Sequence, residues 1–136
     1  MGFEEVAHTA DWALRVWDTD MAGLFAEAAR GMYALAGAQP AQGPSVSRTF
    51  ATETQDVESL LVAFLSELVY SAEQEHLKFE GFQVEIQENS AGWKLNVAMS
   101  GAPLISVNKI IKAVTYHNLQ IQQTERGYIV EIVFDV

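Results

Sequence analysis

Three side chains able to do chemistry gather near the start of the chain. They are His8, Thr9 and Asp11, within Glu4-Glu5-Val6-Ala7-His8-Thr9-Ala10-Asp11-Trp12-Ala13-Leu14-Arg15-Val16. An imidazole can bind a metal or move a proton, and a carboxylate is a hard oxygen ligand or a base. At this spacing a hydrogen-bonded turn explains His8 and Asp11 more readily than a shared site does. A second acidic position stands at the other end of the sequence. Asp135 follows the apolar run Ile129, Val130, Ile132, Val133 and Phe134 and precedes Val136. An aspartate there, beside an α-carboxylate and a backbone carbonyl, offers several hard oxygens within one residue. If the last strand lies beside the first, Asp11 joins them, and carboxylates at close range repel until a proton or a cation neutralises them. Oxygen-only ligands suit calcium or magnesium rather than zinc. The competing reading of Asp135 is a solvated strand end.

Other chemistries lack their motifs. The nine glycines never form a phosphate-cradling pattern, and Gly37 to Gly43 lacks an adjoining Lys-Ser or Lys-Thr. An ATPase or a dinucleotide-binding oxidoreductase is thereby disfavoured. Ser100-Gly101 is the nearest approach to a nucleophile elbow and reads as a strand end. His8, His76 and His117 are too scattered for a zinc signature, and the absence of cysteine removes thiolate ligands, thiol nucleophiles and disulfides. Eighteen acidic against eight basic residues give a net charge of −10. Nucleic-acid binders neutralise phosphates with Lys and Arg, so direct polynucleotide binding is not expected.

The elements that must position these groups follow from periodicity. A short strand ends at Val6 and Ala7, and Ala13 to Trp17 form a second with Leu14 and Val16 on one face. Thr19 and Asp20 can cap a helix over 20–35, whose Met21, Leu24, Phe25, Ala28, Met32 and Leu35 recur at helical spacing. Gly37 to Pro44 is a loop, and Ser45 to Thr54 alternates as a strand. From Asp56, Leu60, Leu61, Phe64, Leu65 and Leu68 mark a second helix ending near Gln74 to His76, with Asp56 and Glu58 at the positive end of its dipole. Hairpins are expected over Gly81 to Glu88 with Trp93 to Ser100, and over Leu119 to Gln123 with Tyr128 to Phe134. Ser106 to Tyr116 fits both a helical face and a β-branched strand, and the helical spacing of Val107, Ile110, Ile111 and Val114 favours a short helix.

Strands joined by short turns, with helices packed on one face, define an α+β class with a mainly antiparallel sheet. Residues 1–136 are expected to form a single domain, since 49% hydrophobic content, 19% charged content and a mean hydropathy of +0.06 are ordinary for a globular chain. No apolar run approaches the ~18 to 20 residues that span a bilayer, and the N-terminus carries no signal-peptide pattern, so a cytoplasmic protein with no membrane partner is expected.

Four stretches give the chain a resemblance to the archease family, the small acidic partners of RtcB-type RNA ligases. They are His8-Thr9-Ala10-Asp11; Leu24-Phe25-Ala26-Glu27-Ala28-Ala29-Arg30-Gly31-Met32; Asp56-Val57-Glu58-Ser59-Leu60-Leu61 with Phe64-Leu65-Ser66-Glu67-Leu68; and Ile111-Lys112-Ala113-Val114-Thr115-Tyr116-His117 with Phe134-Asp135-Val136. Their order and spacing, more than any one block, carry the resemblance. It implies a non-catalytic accessory factor that promotes guanylylation and multiple turnover of an RNA ligase in tRNA splicing or RNA repair. It also implies a divalent cation, calcium or another hard ion such as magnesium or manganese, held by Asp11, Asp135 and the main chain of Val136. His8 and Thr9 would support that corner. Lys112, Thr115, Tyr116 and His117 would line a partner surface, although packing and strand hydrogen bonds explain them as well. Asn118 departs from the acidic residue that often follows Tyr-His in the family. Two other classes compete: a chaperone-like module binding nucleic-acid-processing proteins, and a metal-dependent hydrolase.

Overall fold

The computed structural model describes residues 1–6 and 12–136. His8, Thr9 and Asp11 therefore lie outside the described residues. Among the described residues the order is β1 (Gly2–Val6), β2 (Trp12–Asp18), α1 (Met21–Ala36), β3 (Gln39–Pro40), β4 (Val46–Thr54), α2 (Val57–Glu75), β5 (Leu77–Asn89), β6 (Gly92–Ser106), β7 (Ala113–Val114), β8 (Gln122–Thr124) and β9 (Gly127–Asp135).

Both helices begin and end where local chemistry dictates. The Asp20 carboxylate accepts from the Gly23 amide at 2.6 Å, and that of Asp56 from the Ser59 amide at 2.7 Å, so each satisfies a first-turn donor that the helix itself cannot. Gly37 stops α1 in the left-handed region at φ 65, where a side chain would be strained, and its amide returns to Ala34.

The strands pair antiparallel, as the short turns require, and divide into two sheets. In one, β9 is the central strand, flanked by β2 and β1 on one side and by β7 and β8 on the other. In the second, β6 is central and pairs with β3, β4 and β5. The register of the first sheet is marked on its solvent face by Arg15, which bonds Glu4 of β1 at 2.7 Å and Glu131 of β9 at 3.4 Å. The carboxylates raise the Arg15 pKa further, but such exposed pairs specify register more than they stabilise it.

Helix α1 packs on β1, β2 and β9 of the first sheet and on β5 of the second, while α2 packs on β4, β5, β6 and β7. The helices thereby connect the two sheets through one core. Phe25 of α1 stacks on Phe64 of α2 with centroids 6.0 Å apart, and Phe64 meets Phe82 of β5 edge-on at 5.8 Å. Phe25, Phe64, Phe79, Phe134, Leu14 and Ile132 are fully buried. Gly31 lets α1 lie close against the first sheet, since a Cβ there would press on the side chains of Leu14 and Phe3.

One expected element is corrected. The stretch 106–116 is not a helix: β6 continues to Ser106, the chain crosses as an irregular strap, and only Ala113–Val114 is regular. Its amides are engaged by distant carbonyls. Asn108 and Lys109 both donate to Ala36, at 2.8 and 3.1 Å, Lys112 donates to Asp135 at 2.8 Å, and Thr115 donates to Val133 at 3.0 Å. These tertiary bonds replace the i→i−4 ladder, which the β-branched Val107, Ile110, Ile111 and Val114 would hold weakly anyway. The last hairpin is also shorter at its start than expected. Glu58 of α2 takes the Ile121 amide at 2.9 Å, and the ladder opens only at Gln122.

Candidate functional site

The site expected from the sequence centres on the end of β9. That strand is apolar because most of its second half is buried: Val130, Ile132, Val133 and Phe134 are all 3% exposed or less, while Glu131 reaches the solvent face. Asp135, directly after the buried Phe134, is exposed. Its carbonyl accepts from the Lys112 amide at 2.8 Å, and Ala113 of β7 stands opposite it. Its carboxylate takes no hydrogen bond and no ion pair among the described residues. On the other edge, β2 pairs with β9 up to Trp12 opposite Phe134. The last strand thus lies beside the second strand, β2, and not beside the first as expected from the sequence: β1 is on the outer edge of β2.

The expected supporting residues divide into two sets. Lys112 and Thr115 belong to the end of β9. Thr115 fixes the strand with two bonds to the Val133 carbonyl, from its amide at 3.0 Å and from its hydroxyl at 2.9 Å. Lys112 forms its main-chain bond to Asp135 and leaves its exposed ammonium without an ion pair among the described residues. Tyr116 and His117 lie beyond, in an exposed turn closed by the Leu119 amide on the Tyr116 carbonyl at 3.1 Å. The turn depends on Asn118 at φ 50, a conformation that asparagine tolerates better than most residues, and this is a backbone reason for Asn118. The His117 amide donates to the Thr115 hydroxyl at 3.3 Å, so the turn is tied to the strand.

A cation reaches this end of the sheet that sequence reasoning does not find. The Lys109 ammonium lies 4.0 Å from the centroid of the Trp12 ring, close enough for a cation–π contact. Trp12 begins β2 next to Asp11, so the strap carries Lys109 and Lys112 to the corner where Asp135 emerges. No periodic signal links Lys109 to Trp12, because the two come from opposite ends of the chain. Among the described residues no group of three or more His, Asp or Glu side chains is close enough to hold a metal. Asp11, the expected ligand, and His8, its expected support, are not among the described residues.

These features define a small α+β chain whose polar corner sits at the end of a buried central strand. The model of the Archease protein family (MTH1598/TM1083) matches residues 3–136, and the chain belongs to this family. It is 31% identical over 140 residues to Protein archease of Methanopyrus kandleri, with 100% of both chains covered. Protein archease of Methanosarcina acetivorans is 30% identical, with 98% of this chain and 95% of that one covered. The fold is shared with the solution structure of Methanobacterium thermoautotrophicum protein 1598, at a TM-score of 0.72 and 24% identity, covering 99% of each chain. It is also shared with the crystal structure of an archease described as a possible chaperone from Thermotoga maritima, at a TM-score of 0.66 and 18% identity, covering 98% of this chain and 96% of that one.

Proposed function

We propose that this chain is a non-catalytic accessory protein that promotes guanylylation and multiple turnover of an RtcB-type RNA ligase in tRNA splicing or RNA repair. It acts in the cytoplasm, through a corner in which Asp11, Asp135 and the main chain of Val136 hold a hard divalent cation. Calcium is the first choice, with magnesium or manganese as alternatives. The observation that carries this reading is the Asp135 carboxylate, without a hydrogen bond or ion pair among the described residues, at the sheet end where β2 starts. Membership of the family over residues 3–136 supports the accessory role.

The donor chemistry fits such an ion. The exposed Asp135 carboxylate, the carboxylate of Asp11 next to Trp12 in sequence and main-chain oxygens would make the all-oxygen set that calcium and magnesium take. A bound cation would cancel the repulsion between the carboxylates and present positive charge to an anionic group of the partner. The chain's own residues hold the corner in place: Lys112 and Thr115 fix the end of β9 through Asp135 and Val133, and Lys109 rests on Trp12. The net charge of −10 suits docking on a basic RNA-handling protein better than gripping RNA.

The test is calcium titration and a guanylylation assay with the cognate ligase, using Asp11→Asn and Asp135→Asn variants with the fold checked by circular dichroism. Each change should weaken calcium binding by at least about tenfold, since loss of a supporting group alone costs about 10- to 100-fold. Each should also abolish stimulation of the ligase. Unchanged calcium titration in both variants would sink the metal corner. A second reading, a chaperone-like module for nucleic-acid-processing proteins, draws on the exposed Ile105 and Ile110. Full stimulation by both asparagine variants would favour it.

A further inference from the structure

Where the C-terminal ends of α1 and α2 meet the strap, a cleft of about 320 Å³ opens, lined mostly by apolar side chains. Met32 and Ala36 of α1 and Leu68 and Ala72 of α2 form one wall, and Ile105 and Ile110 belong to the other. Ile105 and Ile110 are 68% and 63% exposed, so a large aliphatic surface faces water at the mouth. The far wall is held at both ends. Asn108 and Lys109 bond the last carbonyl of α1 at Ala36, and Lys112 bonds Asp135. The end of β6 and the strap that follows it thus form the wall of the cleft, and the strap also supports the Asp135 corner.

The polar rim identifies the occupant. Glu73 of α2 lines the cleft, is exposed, and has no ion pair among the described residues. Lys109 and His76 also line the cleft, and the Lys109 ammonium lies over the Trp12 ring. A second copy of this chain would set Glu73 and a net charge of −10 against themselves, which disfavours self-association. The lining offers few polar groups to orient a small polar ligand, whereas interfaces commonly seat one apolar anchor in such a pocket with charges at its edge.

We propose that the cleft receives an aliphatic or aromatic side chain of the ligase, presented beside a lysine or arginine that meets Glu73. This rests on the accessory-protein reading above and gives the ligase a second point of attachment, joined to the Asp135 corner by the strap.

The test measures ligase affinity by calorimetry for the wild-type chain, the double variant Ile105→Glu/Ile110→Glu, Glu73→Lys and the cleft-filling Ala72→Phe. Calcium titration, circular dichroism and light scattering are run on each. The isoleucines are exposed, so the double variant should keep its fold; should it lose it, Ala72→Phe and Glu73→Lys carry the decision. The expected result is ligase binding weakened by at least about tenfold in the double variant and in Ala72→Phe, and to a lesser degree in Glu73→Lys, with calcium binding unchanged. Wild-type affinity in the folded variants overturns the cleft proposal and leaves the accessory role standing. No ligase binding by the wild-type chain overturns the accessory role and the cleft with it. Dissociation of a dimer in the double variant at unchanged ligase affinity makes the occupant a second copy and also overturns the proposal.

Discussion

At the residue scale, Tyr33 illustrates how one side chain repairs an irregularity. The β5–β6 register shifts between Phe79 and Gly81, and the Tyr33 hydroxyl accepts from the Phe79 amide at 3.3 Å. Burial pushes the Tyr33 phenol from 10.0 up to about 12. The folded protein then keeps a proton that the unfolded chain releases above pH 10, so this contribution to stability is complete below about 10 and is lost as pH rises through about 12. Tyr33→Phe should cost about 1–3 kcal/mol near neutral pH by orphaning the Phe79 amide. It should also remove part of the alkaline loss, and urea melts of both proteins across that pH range would read both effects. Parallel pH dependence in the two proteins would contradict the assignment. Asp135 was legible as a candidate at this scale because a carboxylate ending an apolar run is unusual in the local pattern. Lys109 was not, because its partner Trp12 lies at the other end of the sequence.

At the element scale, the strap depends on how α1 ends. Gly37 lies at φ 65 and a Cβ there would run into the Asn108 side chain, while the Ala36 carbonyl holds the Asn108 and Lys109 amides. Gly37→Ala should therefore destabilise the protein by about 1–2 kcal/mol from the left-handed backbone alone. It should also speed hydrogen exchange at the Asn108 and Lys109 amides beyond that global change. Exchange that rises no more than global stability predicts would mean that the strap is held from elsewhere. The caps at Asp20 and Asp56 were readable because a cap and its amide lie three residues apart. Local spacing predicts a helix for the strap because it contains none of the partners, Ala36, Val133 and Asp135, that the strap's amides bond.

At the scale of the whole molecule, charge and continuity set what the protein can do. A net charge of −10 accelerates approach to a basic partner and is screened over about 8 Å at physiological salt. The association rate with the cognate ligase should fall by at least about tenfold between low and high salt, with the dissociation rate changing less. Stopped-flow binding at several ionic strengths measures this, and a salt-independent association rate would exclude electrostatic steering. No helix among the described residues is long and apolar enough to cross a membrane.

Composition, caps and periodicity by themselves determined the two helices, the antiparallel pairing, the α+β class and the acidic surface. Each of those depends on residues within a few places of one another along the chain. Tertiary structure alone decided that β9 is central, that β2 begins beside its end, and that the strap joins the apolar cleft to the Asp135 corner. Those arrangements pair residues from opposite ends of the sequence, where the choice is made by competition for buried surface and backbone partners, and no local pattern records its outcome.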